Sequence, residues 1–198
     1  MKLSCAIATV FVAVSNICGV SASTFGPRAG GPGDATNSCN DARSKIGHYN
    51  GDFSAACVLL VNDCHRTLNN TQSIDLWAQR SCVAGATCDG VDNVWVVAQC
   101  NNDAIPGQIR LANMSTSMFS QMTGGCASES CEITQQNYID FLYGSLSAID
   151  STVFPDSVEQ VINWWNAITS WTQTGDSIPF SRFNDWLHLV FDANSNGR

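Results

Sequence analysis

Hydrophobic residues recur every three or four positions over much of this 198-residue chain, which is the periodicity of helices with one buried face. One such helix is predicted to begin after Asp52 or Ser54, either of which is a suitable N-cap, and to end near Leu68. A second helix is predicted over residues 73–83. The apolar positions of the two helices are Phe53, Cys57, Leu60, Val61, Cys64 and Leu68, and Ile74, Trp77 and Ala78.

Residues 132–198 contain no cysteine and carry three more helical patterns. Thr134 is predicted to cap a helix over residues 135–149. Asp156, with Glu159 three positions later, is predicted to cap the next helix, and Ser181 to cap a last one. The predicted buried stripes are Tyr138, Phe141, Leu142, Leu146 and Ile149; then Val158, Val161, Ile162, Trp165, Ile168 and Thr172; and then Phe183, Trp186, Leu187 and Val190.

Two segments depart from helical periodicity. Residues 92–100, DNVWVVAQC, are β-branched and aromatic and therefore predict a strand. Residues 109–122 fit a strand and a short helix equally well. The expected fold class is therefore mainly α with a minor β element, in one disulfide-stapled globular domain.

Residues 1–22 have the three parts of a secretory signal peptide: Lys2, an apolar stretch, and small residues before a cleavage point. A membrane anchor is the alternative. It is disfavoured because the apolar stretch is shorter than the roughly 20 residues that cross a bilayer. The protein is therefore expected to be secreted and extracellular.

The remaining chain is predicted to have three parts. Residues 23–38 are rich in Gly, Pro and small polar residues and predict a flexible N-terminal arm, with a propeptide as the alternative. Residues 39–198 are expected to form a single domain. Its first part, residues 39–131, is cysteine-rich, and its second, residues 132–198, is the cysteine-free helical part.

Eight cysteines remain after the signal peptide, and an even number in an exported chain predicts four disulfides. The alternative is a metal site, but the cysteines are spaced more widely than zinc knuckles and the three histidines are scattered. No metal and no cofactor are predicted. Only one pairing can be guessed, between Cys126 and Cys131, because the loop between them is short and polar. The eight residues are Cys39, Cys57, Cys64, Cys82, Cys88, Cys100, Cys126 and Cys131.

Charge excludes several partners. Without Lys2 the chain has eight basic and seventeen acidic residues, a net charge near −9, and Lys45 is its one lysine. Phosphate groups are bound by clustered Lys and Arg, so neither nucleic acid nor an anionic membrane surface is an expected partner. Asn69 and Asn113 begin N-glycosylation acceptor sequences and are expected on the surface.

The aromatic residues of the C-terminal part offer one candidate binding face. Trp164 and Trp171 are seven positions apart, so on a helix they share a face that flanks the stripe containing Trp165. One interpretation is that this face packs on a second layer, such as the cysteine-rich part. The other is an exposed strip that stacks on sugar rings or on a partner protein.

No residues with a catalytic pattern are found. A glycosidase needs two carboxylates across a cleft, and none of Glu129, Glu132, Glu159, Asp140 and Asp150 forms a recognisable pair. The histidines, His48, His65 and His188, fit no metalloprotease or hydrolase motif and are expected to be structural or exposed. Residues 192–198 match only the beginning of a calcium loop.

The segment Tyr138–Leu187, from YIDFLYGSLSAID to FSRFNDWLHL, resembles secreted cysteine-rich proteins of unassigned function from mushroom-forming fungi. The resemblance implies a fungal extracellular protein and assigns no activity or functional residue. Together the sequence predicts a secreted, non-catalytic protein that binds cell-wall glycans or surface partners through its aromatic face. The alternative is an extracellular hydrolase that acts on polysaccharide through an unrecognised carboxylate pair.

Overall fold

The computed structural model describes residues 32–48, 53–126 and 128–189, which form eight α-helices and one two-stranded sheet. This confirms the predicted fold class. The helices are α1 (Pro32–Lys45), α2 (Ala55–Thr71), α3 (Arg80–Asp89), α4 (Val91–Asn101), α5 (Thr116–Met122), α6 (Gln135–Ala148), α7 (Val158–Thr172) and α8 (Phe180–Leu187). The strands are β1 (Glu132–Thr134) and β2 (Ser177–Pro179), and short 3-10 turns lie at Leu76–Ala78 and Gln108–Arg110.

Helix α1 begins inside the segment that the sequence predicts as a flexible arm. The signal peptide and residues 23–31 lie outside the described residues, but residues 32–38 belong to this helix. The arm, as a part separate from the core, stays a prediction. Pro32 occupies the first helical position, where its fixed φ and its missing N–H are favourable, so here proline begins a helix.

Four disulfides join the eight cysteines, as predicted. Cys126 pairs with Cys131, which confirms the one pairing that the sequence suggested. The other three bonds join helices: Cys39 to Cys100 between α1 and α4, and Cys57 to Cys88 and Cys64 to Cys82 between α2 and α3. The last two bonds fix α2 and α3 antiparallel to each other.

Helix α2 follows its prediction closely. The Ser54 hydroxyl caps it by accepting from the Cys57 N–H, and the predicted apolar positions are buried except Phe53, which is 54% exposed. The helix predicted over residues 73–83 is wrong in its bounds. A 3-10 turn at Leu76–Ala78 buries Trp77, while Ile74 and Ala78 face outward, and α3 starts only at Arg80.

The strand predicted over residues 92–100 is also wrong, since this segment is helix α4. Its buried residues, Val91, Val94, Val97 and Ala98, are spaced three and four apart, so the segment fits a helix packed on α1, α2 and α3. The weak preference of valine for strands is overridden by this burial. The ambiguous segment 109–122 contains α5 and no strand.

The C-terminal part contains the β element that the sequence placed elsewhere. Strands β1 and β2 pair antiparallel, with Ile133 opposite Ile178, immediately before α6 and α8. Thr134 caps α6, as predicted, in a capping box with Asn137. Ser157, not Asp156, caps α7, and α8 follows Pro179 and not Ser181.

One core of buried side chains includes residues from both parts of the domain. Helices α2 and α3 contact α6, and α3 also contacts α7, so the cysteine-rich and cysteine-free parts pack on each other. No helix in the described ranges has the length and apolar character needed to cross a bilayer.

Candidate functional site

The tryptophan face proposed from the sequence does not form an exposed strip. Helix α7 contacts α3, α6 and α8, so it buries a wider sector than one apolar stripe. Trp164 is only 4% exposed and Trp165 3%, whereas Trp171 is half-buried against the core. Val158, which the sequence placed in the stripe, is instead 41% exposed. The arrangement matches the alternative in which this face packs on a second layer.

An open cleft of about 340 Å³ lies on another part of the surface, between α2 and the turn that follows α6. One wall is the outward side of α2, and it is mostly polar. The other wall is the turn itself. The lining residues are Leu59, Asn62, Asp63 and Arg66 from α2, and Ile149, Asp150, Ser151 and Thr152 from the turn.

Backbone hydrogen bonds fix the second wall of the cleft. The Ser151 N–H donates to the Leu146 carbonyl at 3.0 Å, and the Asp150 N–H donates to the Ser147 carbonyl at 3.1 Å. Asp150 has φ 55°, a left-handed conformation that aspartate tolerates better than most residues and that often ends a helix. The Asp150 carboxylate is thereby presented on a fixed turn.

The cleft carries carboxylates on both walls. Asp63 forms an ion pair with Arg66 one turn along α2, and its side chain is only 13% exposed. Asp150 makes no ion pair with any residue that the structure describes. Arg66 neutralises one of the two acids, so the lining retains one net negative charge at neutral pH.

An aromatic shoulder, defined as Tyr143, Val153 and Phe154, continues from the second wall. Val153 and Phe154 directly follow Thr152, and they are 39% and 42% exposed. The Phe154 ring stacks on Tyr143 with centroids 5.9 Å apart and planes 13° from parallel. Because Tyr143 holds one face of Phe154, the ring is fixed in position while part of it remains in contact with water.

One buried carboxylate, Asp89, lies elsewhere and serves the fold. Burial raises the pKa of Asp89, although hydrogen bonds from Asn93 and from the Gly47 N–H oppose this shift. Oδ1 of Asp89 thus holds the turn after α1 through Gly47, and Oδ2 accepts from Asn93 in the first turn of α4. Partial desolvation of its carboxyl raises the pKa of Asp92, an otherwise exposed residue in the first turn of α4, against the effect of Lys45. The three glutamates are exposed, and Glu132 accepts a hydrogen bond from Ser177.

The histidines are separated. His188 is buried with Nδ1 and Nε2 facing the Asn184 and Leu111 carbonyls, and His48 packs on the Phe53 ring at 5.0 Å. His65, expected on the exposed side of α2, is half-buried. Within the described ranges, no group of three or more His, Cys, Asp or Glu side chains is arranged to hold a metal ion. The calcium-like segment 192–198 lies outside those ranges.

Both predicted glycosylation sites are exposed. Asn69 lies in the last turn of α2, and Asn113 lies two residues before Ser115, which caps α5. Surface exposure is what an attached glycan requires. Glycosylation itself stays a prediction.

The chain matches no known family model, no curated protein and no solved structure at a significant level. The resemblance to fungal secreted proteins and the proposed functions therefore stay predictions. The cleft is an unanticipated candidate site. Its first wall is visible in the sequence as the polar stripe of α2, but no pattern indicated that the turn after α6 would face it.

Proposed function

We propose that this protein is exported and binds cell-wall glycans or other extracellular surfaces, without catalysis, through its cleft and aromatic shoulder. Export is supported by the signal-like residues 1–22 and by four disulfides, which persist in oxidising compartments. The resemblance of Tyr138–Leu187 to secreted fungal proteins is consistent with this location.

The observation that carries the proposal is the fixed, partly exposed Phe154 ring beside a polar cleft. Sugar rings present an apolar face and a rim of hydroxyl groups. An aromatic side chain packs on the apolar face of the sugar, while amide, hydroxyl and carboxylate groups form hydrogen bonds with its hydroxyl groups. The cleft offers such groups on both walls in Asn62, Asp150 and Thr152. This face replaces Trp164 and Trp171 as the proposed binding surface.

The test is retention of the purified protein on insoluble chitin, cellulose and β-glucan. A Phe154→Ala variant should lose about tenfold in affinity, the upper range for one aromatic contact. Asn62→Ala should weaken binding less. Phe53→Ala is a matched control because Phe53 is an exposed phenylalanine away from the cleft lining. Equal retention of Phe154→Ala and wild type, or no retention on any polymer, would contradict the proposal.

The hydrolase alternative is favoured by one observation, the presence of Asp63 and Asp150 on opposite walls of the same cleft. Polysaccharide hydrolysis uses two carboxyl groups, one as an acid and the other as a base or nucleophile. Arg66 pairs with one oxygen of Asp63, so Asp150 is the carboxylate of the two that has no ion pair among the described residues. Release of reducing ends that is abolished in Asp150→Asn, with binding unchanged, would establish the alternative.

A further inference from the structure

Helix α1 is held on α4 by a chain of polar side chains as well as by the Cys39–Cys100 disulfide. The Arg43 guanidinium donates to Oδ1 of Asn101 at 2.9 Å. Nδ2 of Asn101 lies 2.8 Å from Nδ1 of His65 and 3.0 Å from the Val97 carbonyl. The three residues Arg43, Asn101 and His65, called the α1 latch below, connect α1, α4 and α2.

The guanidinium of Arg43 fixes the direction of every hydrogen bond in the α1 latch. A guanidinium can only donate, so Oδ1 of Asn101 must face Arg43. Nδ2 of Asn101 then donates to the ring, so Nδ1 of His65 must be an unprotonated acceptor. If the Asn101 amide turned over to accept from a protonated ring, its NH₂ group would face Arg43 instead. The α1 latch can therefore be fully bonded only while His65 is neutral.

The surroundings of His65 favour that neutral ring. Burial, and secondarily the charge of Arg43, lower the pKa of His65 from 6.5 to about 4. The ring proton then resides on Nε2, which is buried and has no acceptor among the described residues. The other charged side chains of α2 and α3 are engaged elsewhere: Arg66 pairs with Asp63, Arg80 donates to Ser145, and Asp89 is bonded to Gly47 and Asn93.

We propose that the α1 latch is an acid-opened device: protonation of His65 breaks its bond to Asn101 and releases the last turns of α1 from α4. The proton is taken from solvent, and no covalent bond changes. The Cys39–Cys100 disulfide keeps the loosened helix attached at its middle. The proposal does not depend on which ligand the cleft binds.

The sign of the effect follows from the two protonation equilibria. An opened, hydrated His65 regains a pKa near 6.5, whereas the closed ring titrates near 4, so opening is favoured as pH falls through this interval. At pH 4.5 the fraction of open molecules should rise roughly 60-fold over its value at pH 7. The test is hydrogen exchange of the amides of residues 41–46, corrected for intrinsic rates, with His65 titrated by NMR in the same samples.

Two variants and one control separate this device from general acid sensitivity. Asn101→Asp places a carboxylate that accepts from Arg43 and from a protonated His65, so it should keep α1 protected down to pH 4.5. His65→Gln supplies an uncharged acceptor and should remove the pH dependence. His48→Gln, which changes an exposed histidine outside the α1 latch, should retain it.

The proposal is overturned if protection of residues 41–46 does not change between pH 7 and 4.5 in the wild-type protein. It is also overturned if the amides of α2 and α3 lose protection in parallel, because that result describes unfolding of the whole domain. Persistence of the pH dependence in both His65→Gln and Asn101→Asp would remove His65 as its cause.

Discussion

The cysteine-rich and cysteine-free parts of the domain share one core but are stabilised by different means. In the first part, α3 is buried from Ser81 to Asp89, although six of these nine residues are Ser, Ala, Gly, Thr or Asp. In the second part, the buried surface is supplied by large aromatic side chains. The two parts differ in the distance between packed helices and in the interactions, disulfides or aromatic contacts, that hold the helices together.

Close approach is visible where α2 meets α3. A Cβ added to Gly85 would lie 3.2 Å from Cγ2 of Val61, which is tighter than ordinary packing. Small residues at such a contact bury little apolar area, so the hydrophobic contribution per residue is modest. The disulfides on either side of Gly85, Cys57–Cys88 and Cys64–Cys82, compensate by restricting the unfolded chain.

Aromatic contacts replace cross-links in the cysteine-free part. Tyr138 and Trp165 have ring centroids 5.5 Å apart, and Phe183 and Trp186 lie 5.2 Å apart. Each such ring buries roughly 150–250 Å², which is sufficient to hold helices without covalent links. The contrast suggests that deletions of large side chains should be most damaging in one part and deletions of disulfides in the other.

The largest single effect is expected at Trp165, which is 3% exposed between α6 and α7. Trp165→Ala should lower the free energy of unfolding by about 3–5 kcal/mol, since it removes a buried ring and leaves a cavity. Urea denaturation measures this loss. Trp171→Ala, a half-buried site on the same helix, is the control and should cost clearly less. Equal losses at the two sites would show that ring burial does not stabilise this part.

In the cysteine-rich part, Cys64→Ala together with Cys82→Ala should cost about 3 kcal/mol, because the bond closes a loop of separation 18 and both sulfurs are buried. The matched pair is Cys126→Ala with Cys131→Ala. It closes a loop of separation only 5 near the surface, so its loss should be smaller. A larger effect for the surface pair in the same denaturation experiment would reverse the comparison.

The sequence predicted the elements whose hydrophobic spacing was unambiguous. The sequence predicts α6 with its cap at Thr134 and α2 with a cap at Asp52 or Ser54, of which Ser54 is the cap, because hydrophobic spacing and capping residues indicate the same helix starts. Helix α4 was missed because its valines favour strands, whereas its burial spacing is helical. Short strands such as β1 are invisible to periodicity, since three residues are too few to establish it.

The candidate site could not be predicted from the sequence for a different reason. Asp63 and Arg66 occur on an ordinary polar face, and Asp150 occurs at an ordinary helix end. Only the packing of α2 against α6 brings these elements to one cleft. The misassigned Trp164 has a related cause: α7 has three neighbouring helices, and the number of neighbours cannot be read from the helix itself.

Each part contains a glycine with positive φ, Gly47 in the first and Gly175 in the second, and the two differ in the space available for a side chain. A Cβ on Gly47, at φ +79°, would lie 2.6 Å from Cγ2 of Val58 and 2.9 Å from the Ser54 carbonyl oxygen. A Cβ on Gly175, at φ +76°, meets nothing within 4 Å. Gly47→Ala should therefore cost about 2–3 kcal/mol, and Gly175→Ala about 1 kcal/mol. Similar losses in thermal unfolding would show that the turn after α1 yields to admit a methyl group.

The smallest predicted effect tests the helix start that the sequence misplaced. The Ser157 hydroxyl accepts from the Gln160 N–H at 3.3 Å, whereas Asp156 lies one residue before this cap. Ser157→Ala should cost about 1 kcal/mol, because it leaves an N–H of the first turn without its acceptor. Asp156→Ala should cost less than about 0.5 kcal/mol, because an acid near a helix N-terminus contributes only through the helix dipole. The reverse order in urea denaturation would restore Asp156 as the cap. That order would also show that the capping pattern in the sequence correctly locates the start of α7.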